Sequence, residues 1–189
     1  MYEQYIDLIK ERLRPERYIH SMNVARCAQQ LALQYGADPD QAYLAGILHD
    51  VCKNDSDEKM LQMFSEFGII LDNVQQHEKK LWHAICGAAY VQRVLHIEDR
   101  AVIDAIRYHT TAREHMTLLD KILYIADFVS EERDFEGVEQ LRESLRLGLD
   151  HCYVDALVFS IQELTQQKKP VHPDTCLAYN QAVLTAGKD

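Results

Sequence analysis

Residues 44–53, which read LAGILHDVCK, end an apolar run in a histidine beside a carboxylate. Asp38 can cap a helix that begins at Pro39 and runs through apolar residues to Leu48. That helix would carry His49 and Asp50 into the protein interior. A buried carboxylate is costly unless a hydrogen-bond network, a counter-charge or a metal ion compensates it. The rest of the sequence has to supply that compensation.

The length and composition predict a single all-α domain with no significant β-sheet. The chain has 189 residues, enough for one sizeable core, and contains only 7 glycines and 4 prolines. Few helix breakers and few β-branched runs favour helices. Apolar residues at the helical period predict a helix from residue 15 onward and others over residues 2–13, 39–48, 60–67, 82–95, 99–109, 118–129, 138–167 and 174–184.

The charge balance argues against some classes of partner. The chain has 30 acidic and 20 basic residues, and its formal net charge of −10 repels nucleic-acid backbones and anionic membranes. Neither a nucleic-acid polymer nor a membrane is therefore an expected partner. The five cysteines are scattered without a C-x-x-C pair, which indicates reduced thiols. With no signal-peptide pattern and no stretch of about 20 apolar residues, a cytoplasmic location is expected.

Several other polar side chains fall on faces that the pattern predicts to be buried. His20 lies on the apolar face of its helix, and Asp127 lies in LLDKILYIADFV, which is apolar on nearly every side. His83 opens one apolar helix and His109 closes another. Taken singly, each histidine has a plainer interpretation as a hydrogen-bonded core residue. Asp127 could likewise pair with a lysine or an arginine.

Taken together, these residues favour one dinuclear metal site, because separate burial would require a separate hydrogen-bond network for each of them. The set supplies nitrogen and oxygen donors without a thiolate, which suits iron, manganese or zinc. Its members are His20, His49, Asp50, His83, His109 and Asp127. Four other histidines have charged or polar neighbours and are expected at the surface, namely His77, His96, His115 and His151.

The order of these residues resembles that of the HD-domain metal-dependent phosphohydrolases, an all-α superfamily named for the His-Asp doublet. The flanking stretches are ERYIHSMNVA, AGILHDVCK, AIRYHTT, LDKILYIADFVSEERDFEGVEQLR and VHPDTCLAYNQA. They resemble the symmetrical bis(5'-nucleosyl)-tetraphosphatases, bacterial enzymes that split diadenosine tetraphosphate into two ADP. The resemblance implies one HD-domain helical bundle over residues 1–189, with a metal-binding core over about 15–130 and C-terminal helices over 138–186 packed on it.

The resemblance also implies a role for each residue. One metal ion would be held by His20, His49, Asp50 and Asp127. The second would be held by the bridging Asp50 together with His83 and His109. Iron is the leading expectation for both ions, with manganese or zinc as alternatives. Asp50 and Lys53 are the expected catalytic residues, and the expected contacts to a dinucleoside polyphosphate are Arg17, Lys53, Thr110, Thr111, Arg133, Thr175 and Asn180.

Hydrolysis by a metal-activated water is the mechanism that this site would support. Two neighbouring metal ions can lower the pKa of a shared water and direct it at phosphorus. The sequence shows neither a convincing side-chain nucleophile pattern nor a glycine-rich phosphate loop, which agrees with that mechanism. Three alternatives stay open: hydrolysis of another nucleotide such as an alarmone or a cyclic dinucleotide, a di-iron oxygenase, and a binding module without turnover. Whether the protein forms a homodimer also stays open.

Overall fold

The chain folds into helices joined by short connections, and the computed structural model describes residues 2–186 of it. No strand occurs among those residues, so the expected all-α class is confirmed. The helices are α1 (Glu3–Arg12), α2 (Pro15–Tyr35), α3 (Pro39–Leu48), α4 (Asp57–Phe67), α5 (Asn73–His77), a 3₁₀ turn (Lys79–Leu81), α6 (Trp82–Arg93), α7 (Arg100–Tyr108), α8 (Leu118–Val129), α9 (Val138–Leu147), α10 (Leu149–Gln166) and α11 (Pro173–Ala186).

Local capping fixes the ends of the helices that carry the candidate site. The Asp38 carboxylate accepts two backbone N–H groups of the first turn of α3, at 2.8 and 3.1 Å. Thr117 and Asp120 form a reciprocal capping box at the start of α8. Helix α2 ends at Gly36, whose φ of 81° is left-handed. These signals are local in sequence, and for this reason the predicted bounds of α3 and α8 are confirmed.

Helix α8 lies at the centre of the fold and packs against α2, α3, α7, α9 and α10. Eight of its twelve residues are buried, which explains why its sequence is apolar on nearly every side. Helices α2 and α3 pack at very close range because Gly46 of α3 lies against the backbone of Ala25 in α2. That contact holds the end of α3, where His49 lies, beside α2.

The single helix predicted over residues 138–167 is wrong, because the structure has two helices there. Gly148 separates α9 from α10 with φ 143° and ψ 159°, a conformation that side-chain-bearing residues rarely adopt. The apolar period continues across the break, and periodicity alone therefore did not show it. Helices α9 and α10 pack against α8, and α11 packs against α10.

The connection between α4 and α6 contains a short helix, α5, and a 3₁₀ turn. A capping box between Asp72 and Gln75 starts α5. All five cysteines are free thiols, as expected. In the part of the chain that the structure describes, no helix combines the length and the apolar character needed to cross a bilayer.

Candidate metal centre

Five elements bring the six predicted donor residues to one place. His20 comes from α2, and His49 and Asp50 follow directly on α3. His83 lies in the first turn of α6, while His109 comes just after α7 and Asp127 from α8. The four histidines and Asp50 are at most 4% exposed, and the Asp127 side chain is 20% exposed. The expected convergence is therefore a feature of the fold.

The carboxylate of Asp50 lies between two pairs of imidazoles. Its Oδ2 atom lies 3.9 Å from Nε2 of His20 and 3.5 Å from Nε2 of His49. Its Oδ1 atom lies 3.1 Å from Nε2 of His83 and 3.7 Å from Nε2 of His109. Oδ1 is buried and has no hydrogen-bond partner among the described residues. Each oxygen of one side chain thus faces a different pair of ring nitrogens.

The ring nitrogens within each pair point at one another. Nε2 of His20 and Nε2 of His49 are 3.3 Å apart, and the corresponding atoms of His83 and His109 are 3.2 Å apart. The four rings form one continuous edge-to-face chain, with successive centroids 5.0–5.2 Å apart. Asp127 adds an oxygen to the first pair, since its Oδ1 lies 2.9 Å from Nε2 of His20.

Backbone carbonyls fix the tautomer of two of these histidines. Nδ1 of His49 donates to the carbonyl of Gly46 at 2.8 Å, and Nδ1 of His109 donates to the carbonyl of Ile106 at 2.7 Å. A carbonyl only accepts, so the hydrogen of each neutral ring is on Nδ1 and the Nε2 lone pair faces the centre. Lone pairs of these two rings thus face the centre, where they can bind a cation. The donor set therefore fits metal ions.

The second nitrogen of His20 is held by a carboxylate that sequence reasoning missed. Nδ1 of His20 donates to Glu132, which also accepts from Ser130 at 2.8 Å and from Nδ2 of Asn23 at 2.7 Å. Burial would raise the pKa of Glu132, but these hydrogen bonds lower it to about 2. Carboxylate support behind a ligand imidazole is common in metal sites. The sequence signal for this residue is the acidic loop directly after α8, which does not distinguish Glu132 from its neighbours.

The protonation states of the buried groups suit metal binding. Burial lowers the pKa of His49 to about 3 and that of His83 to about 4. Burial would raise the pKa of Asp50, but the surrounding imidazoles hold it well below its usual value. His20 differs, because Asp127 and Glu132 outweigh its burial and raise its pKa. A cation bound at His20 would displace a proton.

Three cationic side chains surround the centre, and all three were predicted to contact substrate. Arg17 donates to Oδ2 of Asp50 at 2.9 Å. Nζ of Lys53 lies 3.1 Å from Nε2 of His83 and 3.7 Å from Oδ1 of Asp50. Arg133 pairs with the carboxylate of Asp127 and donates to its backbone carbonyl at 2.6 Å. Their side chains are 29–33% exposed, so each can also reach a bound anion.

The predicted threonines lie beside a second feature, a cavity of about 200 Å³ that we call the threonine cavity. Thr110, Thr111 and Thr175 line it, and the first two follow His109 directly in the chain. Thr175 donates to the carbonyl of Thr111 at 2.7 Å, while the hydroxyl of Thr110 is buried without a partner among residues 2–186. Asn180 is exposed on α11, and its contact with substrate stays a prediction.

The four histidines that the sequence predicted at the surface are found there. His77, His96, His115 and His151 are exposed. His172 is buried, and its Nε2 lies 2.8 Å from Oδ2 of Asp72, which ties the segment before α11 to the start of α5.

Groups of donor atoms within 4.8 Å of one another define where a cation fits. One such group is formed by His20, His49 and Asp50 and another by Asp50, His83 and His109. A third combines His49, His109 and Asp127. Helices that present such a His-Asp centre define the HD class of proteins. The family model of the HD domain matches residues 17–132, so the chain belongs to the HD-domain family.

Comparison with individual proteins places the chain more narrowly. It is 36% identical to the symmetrical bis(5'-nucleosyl)-tetraphosphatase of Bacillus subtilis, over 96% of this chain and 97% of that one. It is 38% identical to the protein of the same name from Halalkalibacterium halodurans, over 95% of both chains. Within the HD-domain family, the chain groups with these proteins, as the resemblance predicted.

A solved structure shows the same fold. The crystal structure of a predicted HD superfamily hydrolase involved in NAD metabolism from Clostridium acetobutylicum superposes with a TM-score of 0.93. The two chains are 31% identical, and the match covers 98% of each. The helical arrangement around the candidate metal centre is thus that of an HD hydrolase.

Proposed function

We propose that this protein is a metal-dependent phosphohydrolase that splits a dinucleoside tetraphosphate symmetrically into two nucleoside diphosphates. One observation carries the proposal: the Asp50 carboxylate lies between two pairs of imidazoles whose Nε2 atoms are 3.2–3.3 Å apart. The names of the relatives from Bacillus subtilis and Halalkalibacterium halodurans support the choice of substrate.

The proposed ligand sets follow the two faces of Asp50. The set at Oδ2 would be His20, His49, Asp50 and Asp127. The set at Oδ1 would be Asp50, His83 and His109. These nitrogen and oxygen donors suit iron, manganese or zinc, and the resemblance to the HD-domain phosphohydrolases makes iron the leading proposal. When bound, the two ions supply a water of lowered pKa and withdraw charge from a phosphoryl oxygen.

The chain's own cations would hold the polyphosphate. With no substrate bound, Arg17 and Lys53 offset the charge of Asp50, and Arg133 offsets that of Asp127. With those carboxylates neutralised in the metal-bound protein, the three side chains would be free to pair with phosphate oxygens. Arg133 and Arg17 can bind such oxygens in a fork, whereas Lys53 acts as a point charge.

The proposed reaction needs no covalent intermediate with the protein. The oxygen of a water forms a bond to one central phosphorus, the bridging P–O bond breaks, and a nucleoside diphosphate leaves. Lys53 would stabilise the negative charge that develops on the bridging oxygen, which is the basis of its predicted catalytic role. Asp50 would act as a ligand in both proposed sets. Thr110, Thr111 and Thr175 would contact one nucleotide in the threonine cavity.

The test is product analysis of protein purified without chelators. Diadenosine tetraphosphate should give ADP alone, and turnover in ¹⁸O-labelled water should leave one ¹⁸O atom in one of the two ADP molecules. Asp50→Asn should lose metal and activity. Asp104→Asn is the matched control, because Asp104 is also buried but pairs with Arg100 and Arg113 away from the donor set.

The alternative functions predict different products. Pyrophosphate or a linear dinucleotide from other nucleotides would indicate an HD hydrolase of another specificity. Consumption of oxygen would indicate a di-iron oxygenase. The protein would be a binding module if it retains metal but does not hydrolyse diadenosine tetraphosphate with iron, manganese or zinc. That result would contradict the proposal.

Two broader predictions accompany the proposed function, and the oligomeric state is a separate question for measurement. We propose that residues 1–189 act as one unit, which the packing of α9 and α10 on α8 supports. A cytoplasmic location is supported by the five free thiols. Homodimer formation stays open and is decided by sedimentation of the metal-loaded protein.

A further inference from the structure

A cavity of about 670 Å³ lies beside the metal centre, on the side of α8. We call it the aromatic cavity because three half-buried rings line it. These are Phe128 of α8, Phe135 of the following loop and Phe159 of α10. Asp127 and Arg133 line the same cavity. Since Asp127 contacts His20 and Arg133 pairs with Asp127, the cavity borders the metal centre.

The three rings form one connected aromatic surface. Their centroids are 5.2 Å apart for Phe135 and Phe159, 6.1 Å for Phe128 and Phe159, and 6.4 Å for Phe128 and Phe135. Gly137 is required for this arrangement, because a Cβ there would lie 2.9 Å from Cε2 of Phe159. Its φ of 103° is also left-handed. The backbone is thus adapted to the position of Phe159.

Polar groups surround the aromatic surface. The same cavity is also lined by two carboxylates and two amides, those of Glu136, Glu163, Gln162 and Gln166. Purine edges carry both hydrogen-bond donors and acceptors, and purine faces stack on aromatic rings. A free phosphate would be repelled by two carboxylates. The composition of the cavity therefore suits a nucleoside better than a phosphate.

We infer that the aromatic cavity binds one of the two nucleosides of the substrate, with its base against Phe135 and Phe159. This inference rests on the proposed function and adds the second nucleoside site to it. Arg133 lies between the cavity and the metal centre, where it would hold the phosphates of that half. Glu163 of α10 lines both the aromatic cavity and the threonine cavity. One substrate with a nucleoside at each end would therefore have both ends beside α10.

Kinetics with two substrates test the inference. Diadenosine tetraphosphate carries two nucleosides, whereas adenosine 5'-tetraphosphate carries the same phosphates and only one. The quantity to compare is the kcat/KM for the dinucleotide divided by the kcat/KM for the mononucleotide. We expect Phe159→Leu and Phe135→Leu each to lower this quotient by about tenfold, because each variant weakens the stacking of one base. Phe67→Leu is the matched control, because Phe67 is also half-buried but lies at the end of α4.

The outcomes separate this inference from the proposed function. Wild-type protein that releases no ADP from diadenosine tetraphosphate would reject the proposed function itself. Suppose instead that wild-type protein releases ADP, but the variants keep the wild-type ratio of the two kcat/KM values or lose both activities equally. Either outcome would reject the second nucleoside site and indicate a packing role for the rings.

A labelling experiment covers the case in which a variant does not fold. An 8-azido dinucleoside tetraphosphate with a central methylene bridge resists cleavage and can be cross-linked to wild-type protein. We expect label in the segments around residues 128–136 and 159–163, protected by excess diadenosine tetraphosphate. Label confined to other segments would overturn the inference.

Discussion

Gly46 of α3 lies so close to Ala25 of α2 that a Cβ at position 46 would be 2.4 Å from the Ala25 Cα atom. The obstructing atoms belong to backbone, so the two helices would have to separate. We therefore expect Gly46→Ala to lower the free energy of unfolding in urea by about 2–3 kcal/mol. Metal content should fall as well, because α2 and α3 carry His20 and His49.

Gly87→Ala is the control for that prediction. A Cβ at position 87 would meet its nearest atoms at 3.5 Å, an ordinary van der Waals contact. Because alanine favours helix over glycine by about 1 kcal/mol, this variant of α6 should be as stable as wild type or more stable. Equal stability of Gly46→Ala and Gly87→Ala would contradict the close approach of α2 and α3.

The number of metal ions should depend on His83 but not on a surface histidine. Removing His83 leaves one ligand set short of a donor while the other set stays complete. We expect His83→Ala to bind about one ion per chain where wild type binds two, as measured by elemental analysis after dialysis. His77→Ala, a change at an exposed histidine, should keep both ions. Two ions in His83→Ala would disprove its role as a ligand.

Lys53 should affect turnover more than metal binding. Its Nζ atom lies near His83 and Asp50 but is a cation, so the proposed function gives it a contact with the polyphosphate rather than with a metal ion. We expect Lys53→Met to lower kcat for diadenosine tetraphosphate by about 10²–10³-fold, the size of a single lost electrostatic contact in a transition state. Lys53→Arg should recover part of the loss.

Lys59→Met provides the comparison for Lys53. Lys59 of α4 is half-exposed and pairs with Asp55, which lies just before that helix. Its replacement should leave kcat and metal content unchanged. The same loss of kcat in both variants would show that Lys53 has no special position.

Glu132 should make the stability of the metal-free protein depend on pH. Its pKa in the folded protein is about 2, below the ordinary value of 4.5, so its contribution is present above pH 4.5 and is lost as the pH falls toward 2. The partner His20 has a raised pKa and stays protonated below 6.5. Between about pH 5 and pH 6, Glu132→Gln should therefore lower the free energy of unfolding by about 1 kcal/mol. Solvent screening keeps this value small.

Urea unfolding in the presence of a chelator measures this effect. The difference between wild type and Glu132→Gln should shrink steadily from pH 5 to pH 3. Asn23→Ala removes a neutral hydrogen-bond donor to Glu132. Its free energy of unfolding should fall by less than that of Glu132→Gln and should depend less on pH. A difference that stays constant across this range would show that the charge of Glu132 contributes nothing.

The sequence by itself determined the parts of the site that depend on local signals. Asp38 and the apolar run after it set α3, and the position of His49 and Asp50 at its end follows from helix length. The bounds of α8 follow from the capping residue Thr117 and a continuous apolar segment. Such features depend on contacts within a few residues, which are visible in the order of the amino acids.

The tertiary structure decided what depends on contacts between helices. Asp120 and Asp127 lie two turns apart on α8, yet Asp120 pairs with Arg113 while Asp127 faces His20. Glu132 supports His20 across a separation of 112 residues, and no local pattern distinguishes it from its acidic neighbours. Which neighbour each buried charge meets is fixed by how the helices pack, because a charge buried in the interior is stable only beside the partner that the packing provides.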